Sequence, residues 1–368
     1  MPVPFYRFDG QSSARFLLDA AWPIVAISAV CLFGMVILLL SGADPAAAAI
    51  AMAEGAFGSR EAVYRTLEKA IPLIFSGLAV AWAFKAGLFN IGVQGQFLFG
   101  ALAAGFLGFS LEGAPAWCHV PAALSAGALA GACYAAFKGF LKAYAGAHEV
   151  ITGIMLNYIA INLTDYLASG PLKDTANGNI LARTPSVLDT AILHPLAGIP
   201  SGMVLAAACA IMVWIVLRQT TLGFEIATVG INPDAARYGG IGIGRTLFVT
   251  MAVSGALGGL GGGVETLGVV HRFQPGFNGK LGFDGITIAL LAKTNPFGVV
   301  PAAVLVGAMR AGAAQMQFDA EVAPEIIDIL LALVLFLAAA NQGIIKWFGF
   351  RGYDGKAPAL TSGWGKQR

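Results

Sequence analysis

Charge is what this sequence has least of. Only 11% of its 368 residues are Asp, Glu, Lys or Arg, where a soluble domain carries about 25%. So few charges cannot cover a water-facing surface of normal extent. The formal net charge of +2 gives no electrostatic basis for binding nucleic acid. Cysteine is also scarce. Cys31, Cys118, Cys133 and Cys209 stand far apart with no CxxC, which excludes a disulfide frame or a metal site and predicts small buried fillers. His119, His148, His194 and His271 are equally scattered. There is no GxxxxGK[ST] phosphate loop, HExxH or GxSxG. The chain is therefore expected not to be an enzyme and to hold no cofactor of its own.

What remains is apolar. Hydrophobic residues make up 57% of the chain, in runs of about 20, the length that crosses a bilayer as a helix. Ten candidate spans follow: 22–41, 67–85, 88–110, 117–137, 149–168, 202–218, 246–268, 281–295, 298–316 and 326–345. The expected fold is all-α: a polytopic helical membrane protein of about ten transmembrane helices, some interrupted. The first run is longer than the apolar part of a signal peptide, and no small-residue cleavage site follows it cleanly. It is expected to persist as the first span. Residues 1–21 then form an N-terminal tail, 22–345 the transmembrane domain and 346–368 a C-terminal tail.

Ten spans place both termini on one side. If that side is cytoplasmic, 14 of the 22 Lys and Arg lie inside, as the positive-inside bias requires. This predicts a multi-pass protein of the cell (inner) membrane with cytoplasmic N- and C-termini. The loop 169–201 then falls outside. It holds Pro171, Pro185, Pro195 and Pro200, which break any continuous helix. The loop 218–245, "RQTTLGFEIATVGINPDAARYGGIGIGR", falls inside. It permits short helices at 225–229 and 233–238, and Pro233 after Asn232 suits a helix start. By pattern alone this loop is either a connector or a docking element. The C-terminal tail carries five Lys/Arg against one Asp and is expected to lie on anionic membrane lipid.

Glycine is abundant, at 48 residues. Gly255, Gly259 and Gly263 recur every four residues in the seventh span, as Gly127 and Gly131 do in the fourth. That spacing lets helix backbones approach closely, either within the bundle or between subunits.

Three polar interruptions lie inside the apolar runs. In "GLFNIGVQGQFLFG", residues 87–100, Asn90 and Gln94 are four apart and are predicted to share a helical face, with Gln96 pointing elsewhere. Gly92 and Gly95 weaken the helix between them. The pattern suits either an interrupted helix beside a polar cavity or amides that bond neighbouring helices. In "LGFDGITIALLAKTNPFG", residues 281–298, Asp284, Lys293, Asn295 and Pro296 flank an apolar heart too short to span. These two segments lie five spans apart. An odd offset makes them antiparallel, as an inverted repeat requires. In "HEVITGIMLNYIAINLTDY", residues 148–166, Asn157 is expected mid-bilayer, with Glu149 and Asp165 near the interfaces.

Four motifs carry a resemblance: "LFNIGVQGQF", "HEVITGIMLNYIA", "VGINPDAARYGGI" and "GFDGITIALLA". In order and spacing the chain resembles permease subunits of ATP-binding-cassette importers, in the branch for branched-chain amino acids, simple sugars and nucleosides. The second motif is most similar to the nucleoside permeases, although His148 stands where that group often has Asn, and Gln94 where an acid is frequent. The resemblance implies that residues 229–241 dock on a separate ATP-binding subunit, which binds ATP-Mg. Gly230, Asn232, Pro233, Asp234, Ala235, Ala236, Arg237 and Tyr238 would carry that coupling. It further implies a second permease, identical or different, and an extracytoplasmic solute-binding protein.

The expected mechanism is alternating access driven by that ATPase, with a nucleoside or simple sugar as solute. Asn90, Gln94, Gln96, Asn157 and Asp284 would line its pathway. Amides donate and accept without demanding a counter-charge, which suits a neutral, hydroxyl-rich solute. The alternative is an ion-coupled secondary transporter of a small polar solute, for which Asp284 is the best single ion site.

Overall fold

The computed structural model describes residues 32 to 333, apart from 41, 197, 278, 279, 324, 327 and 331. Twelve named helices build the described part in chain order. They are α1 (Leu32–Leu40), α2 (Pro45–Phe57), α3 (Arg60–Lys85), α4 (Val93–Ser110), α5 (Ala116–Ala145), α6 (Glu149–Ser169), α7 (Ser201–Gln219), α8 (Thr221–Ile231), α9 (Pro233–Tyr238), α10 (Ile243–Glu265), α11 (Leu281–Leu291) and α12 (Pro296–Ala320). A five-residue π-helical stretch, Thr266–Val270, extends α10. Among the described residues the only β-pairing is an isolated bridge, Leu196 to Ile199.

Seven helices, α3 to α7, α10 and α12, are long and apolar enough to cross a membrane. The bent pair α1 and α2, which turns through 119°, raises this to eight. This all-α membrane fold departs from the predicted ten spans at identifiable places. The run 22–41 is described only from residue 32, and its helix turns sharply into α2, which lies between two predicted spans. The segment 281–295 forms only the 11-residue α11, about 16 Å long at 1.5 Å per residue. The run 326–345 falls largely outside the described residues.

The helix starts follow local chemistry. Asp44–Pro45, Asn232–Pro233 and Asn295–Pro296 open α2, α9 and α12 in the same way. The Asp or Asn side chain accepts a backbone N–H of the first turn, and proline takes a position whose own N–H would have no partner. The loop from 170 to 200 contains two 3-10 turns, Ala176–Gly178 and Asp189–Ala191. It packs on the end of α10 through Thr184 N–H to Phe273 O and Val187 N–H to His271 O.

The centre of the bundle is α3, in which every residue from 70 to 84 is buried. A helix apolar all round belongs inside a protein or a membrane. Around it, α4 and α10 are more than half buried, while α5, α6 and α7 present Leu129, Phe137, Ile151, Ile159, Ile211 and Met212 outward. Such an apolar exterior suits lipid or a neighbouring subunit.

Glycines set the tightest crossing, that of α10 with α5 and α4. A Cβ on Gly255 would lie 2.3 Å from Gly131 O, and one on Gly259 would lie 2.2 Å from Gly127 O. One on Gly263 would meet Ala104 Cβ at 3.2 Å. The stripe therefore packs against helices of its own chain. The cysteines depart from expectation: Cys209 is buried, but Cys118 and Cys133 are exposed, because both sit on the outer face of α5. Cys31 lies outside the described residues.

Candidate solute pathway and coupling surface

The first two polar interruptions meet in space. Between α3 and α4, residues 86–92 are not helical, and Gly87 at φ 71° makes the turn. Only glycine adopts that conformation without strain. At the start of α11, Gly282 donates its N–H to Gln94 Oε1 at 2.8 Å. A Cβ on Gly282 would fall 2.3 Å from Gln94 Cα, so the starts of α4 and α11 are in backbone contact.

Asn90 lies in the break and is fully buried. Its Nδ2 donates to Ser254 Oγ on α10 at 2.8 Å and to Gln96 Oε1 at 3.1 Å. Its Oδ1 accepts from Gly92 N–H at 3.1 Å and from Lys138 Nζ at 3.0 Å. Ser254 Oγ in turn donates to Ala79 O at 2.6 Å. Asn90 thus pairs with Gln96, not with the face of Gln94. The expected i, i+4 relation fails because Asn90 precedes the helix. Asn157 on α6 reaches across to the same break. Its Nδ2 donates to Ile91 O and its Oδ1 accepts from Gly95 N–H, each at 2.9 Å.

These contacts have one physical theme. A break in a helix strands backbone donors and acceptors that water cannot reach. Asn157 of α6 and Lys138 of α5 meet them instead, and Ser254 of α10 holds the Asn90 side chain in place. Asn90, Gln94, Gln96 and Asn157 are all at most 3% exposed, so in this conformation the amides hold the bundle together.

Asp284 sits one turn into α11 and pairs with Arg310 of α12. Arg310 also lies 4.0 Å from Asp328, which pairs with Lys280 at 2.5 Å. Sequence reasoning did not single out Arg310, because nothing in the α12 pattern shows that the α11–α12 hairpin folds it onto Asp284. The 14 Lys and Arg assigned to the inside also include Lys138. The structure instead turns Lys138 inward, 1% exposed, while Lys142 one turn later takes Glu149 at 2.7 Å. The other residues of the third interruption are less central. Asn162 donates to Tyr158 O within α6 at 2.7 Å and lies on its outer side. His119 is held by Thr190 Oγ1 at 2.8 Å and Leu107 O at 3.0 Å. Among the described residues no group of three His, Cys, Asp or Glu could hold a metal.

The loop 218–245 folds into α8 and α9. Thr220 caps α8 by accepting Gly223 N–H at 3.2 Å, and Asn232 caps α9 through Asp234 and Ala235 N–H at 3.0 and 3.1 Å. Gly230 and Ala236 are buried under the turn. Asn232, Pro233, Asp234, Ala235, Arg237 and Tyr238 are exposed. Ile231 at 78% and Tyr238 at 95% exposure give the knuckle an apolar crest. A groove beside it is lined by Thr221, Phe224, Glu225, Ile241 and Arg245.

Comparison with known proteins agrees along nearly the whole chain. Residues 62–339 match the family described as branched-chain amino acid transport system / permease component. The chain is 37% identical over 327 residues to the guanosine ABC transporter permease protein NupP of Bacillus subtilis (strain 168), covering 88% of this chain and 93% of that one. It is 34% identical to the nucleoside ABC transporter permease protein NupB of Lactococcus lactis subsp. cremoris (strain MG1363), covering 87% and 90%. It is 31% identical to the glucose ABC transporter permease protein TsgB13 of Haloferax volcanii, covering 97% of each. With its all-α membrane-spanning bundle and this match, the chain belongs to the branched-chain amino acid transport system permease family and is a multi-pass permease subunit of an ABC importer.

Proposed function

We propose that this permease forms the membrane pathway for a nucleoside, with α8 and α9 as the surface that receives the ATPase. The solute class is supported by the guanosine and nucleoside permeases to which the chain is similar. It is also supported by the four amides among the pathway candidates, Asn90, Gln94, Gln96 and Asn157, which can donate and accept hydrogen bonds without demanding a counter-charge. A glucose permease is similar as well, so a simple sugar is the second reading. An importer of this kind works with an ATP-binding subunit and a solute-binding protein.

The observation that carries the transport reading is the meeting of two half-formed helix starts, α4 and α11, at Gln94 and Gly282. Non-helical backbone at membrane depth persists only where protein or a polar cavity surrounds it. In the proposed cycle, two permease copies or two related chains face each other. Closure of the ATPases draws the 229–241 knuckles together, and the wall carrying Asn90, Gln94, Gln96, Asn157 and Asp284 changes its exposure between the two sides. The termini and this knuckle lie on the cytoplasmic side, and the 169–201 loop faces the binding protein.

The ion-coupled alternative loses its main support. Asp284, its candidate ion site, is tied to Arg310.

Two measurements test the reading. Uptake of labelled guanosine, adenosine and glucose by cells carrying the full complex separates the solutes; glucose uptake without nucleoside uptake would replace the first reading with the second. Copurification of the ATP-binding subunit, with and without substitutions from Asp234 to Tyr238, tests the docking surface. An ATPase retained despite those changes would remove α9 from the contact.

A further inference from the structure

A buried lysine sits beside the break between α3 and α4. Lys138 Nζ lies 3.0 Å from Asn90 Oδ1 and 3.5 Å from Phe89 O. Helix α6 makes room for it: a Cβ on Gly153 would stand 2.9 Å from Nζ. The neighbouring carboxylate, Glu149, is engaged by Lys142. A buried ammonium needs acceptors. In an unbroken helix the carbonyl of residue 89 would serve the helix's own ladder. The lysine and the break therefore depend on each other.

The turn that opens the break is itself touched by the knuckle. A Cβ on Gly230 would lie 2.1 Å from Lys85 O and 3.0 Å from Gly87 N. The missing Cβ of Gly87 would sit 3.5 Å from Gly230 Cα. Two backbones pressed together with no side chain between them form a stiff joint, since close-packed interiors pass displacement on rather than absorb it. A movement of α8 reaches residues 85–87 directly. Beyond them lie Asn90, with its bonds to Gln96 and Ser254, and Ile91, held by Asn157.

We propose that Lys138 is a positioning residue for transport, pinning the break at 86–92 to α5 so that a shift delivered through Gly230 moves the start of α4 as one body. This deepens the reading of 229–241 as the ATPase docking surface and rests on it. With the pin removed, the knuckle moves residues 85–87 while the break flexes, and ATP hydrolysis runs on without moving solute.

The test uses the complete complex of permeases, ATPase and solute-binding protein in proteoliposomes. Uptake of labelled guanosine and ATP hydrolysis are read in parallel on each sample. Lys138→Met keeps the length of the side chain and removes its charge. The solute moved per ATP is expected to fall about tenfold, with the ATPase still copurifying and hydrolysis continuing. Lys138→Arg restores donors to the break and should recover most of the ratio. A purely structural lysine would lower assembly and leave the ratio alone. Gly230→Ala forces the joint apart and should lower the ratio as Lys138→Met does. Gly244→Ala, whose added Cβ meets nothing nearer than 3.8 Å, should match the parent. A solute-to-ATP ratio in Lys138→Met within twofold of the parent overturns the proposal. If that variant does not assemble, an unchanged ratio in Gly230→Ala overturns it instead. Failure of the docking reading shows separately, as copurification that ignores changes from Asp234 to Tyr238.

Discussion

Gly259→Ala probes the α4, α5 and α10 crossing most directly. The new methyl would stand 2.2 Å from Gly127 O and 3.0 Å from Gly131 Cα. Ordinary contact begins at 3.4 Å, so the helices must separate by about 1 Å to admit it. Both obstacles are backbone, and no rotamer change relieves them. Gly100 closes a third side, since its own Cβ would lie 2.3 Å from Gly259 Cα. Overpacking a filled core costs about 1–3 kcal/mol, and rigid neighbours put this site near about 3. At about 2–4 °C per kcal/mol, the melting temperature should drop by about 6–12 °C. The assay is thermal unfolding of the purified complex in detergent, followed by size-exclusion fluorescence. Gly244→Ala adds the same methyl to the same helix without a clash and should stay within about 0.5 kcal/mol of the parent. Equal melting of the two variants would refute the packing argument. Separation of the permease pair with each chain intact would instead place the stripe between subunits.

Asn157→Ala strands the Ile91 carbonyl and the Gly95 N–H, at about 1–3 kcal/mol for each buried group left unpaired. Amide exchange over residues 91–96 should quicken; unchanged protection would mean that water replaces the amide. Asp284→Ala and Arg310→Ala should each destabilise, and the double variant should lose less than their sum. The coupling should be about 1 kcal/mol for a pair with partial solvent access, and strict additivity in a double-mutant cycle would deny the ion pair any energetic role. Uptake should stop when ATP is depleted and persist when ionophores collapse ion gradients. The reverse outcome would restore the ion-coupled carrier.

Composition alone determined the class of this protein. With so few charges and so many apolar runs, no water-facing fold is open to it, and the lengths of those runs dictate helices across a bilayer. Local chemistry also placed α9, since Asn232 before Pro233 suits a helix start: the amide accepts first-turn N–H groups and proline needs none. The breaks near Asn90 and Asp284 were legible as glycine and polar residues inside apolar stretches. Their partners were not. Periodicity describes a helix that continues, so it put Asn90 beside Gln94, while the actual chain leaves the helix before residue 93 and turns Asn90 toward Gln96, Ser254 and Lys138. The same limit hid Arg310, which meets Asp284 only because α11 and α12 fold back on each other. It also hid the meaning of the glycine stripe, whose spacing fits a subunit contact as well as the internal crossing it makes. Sequence spacing fixes which residues share an element. Which distant elements come together, and which charge is then shut away from water, is decided only when the helices pack.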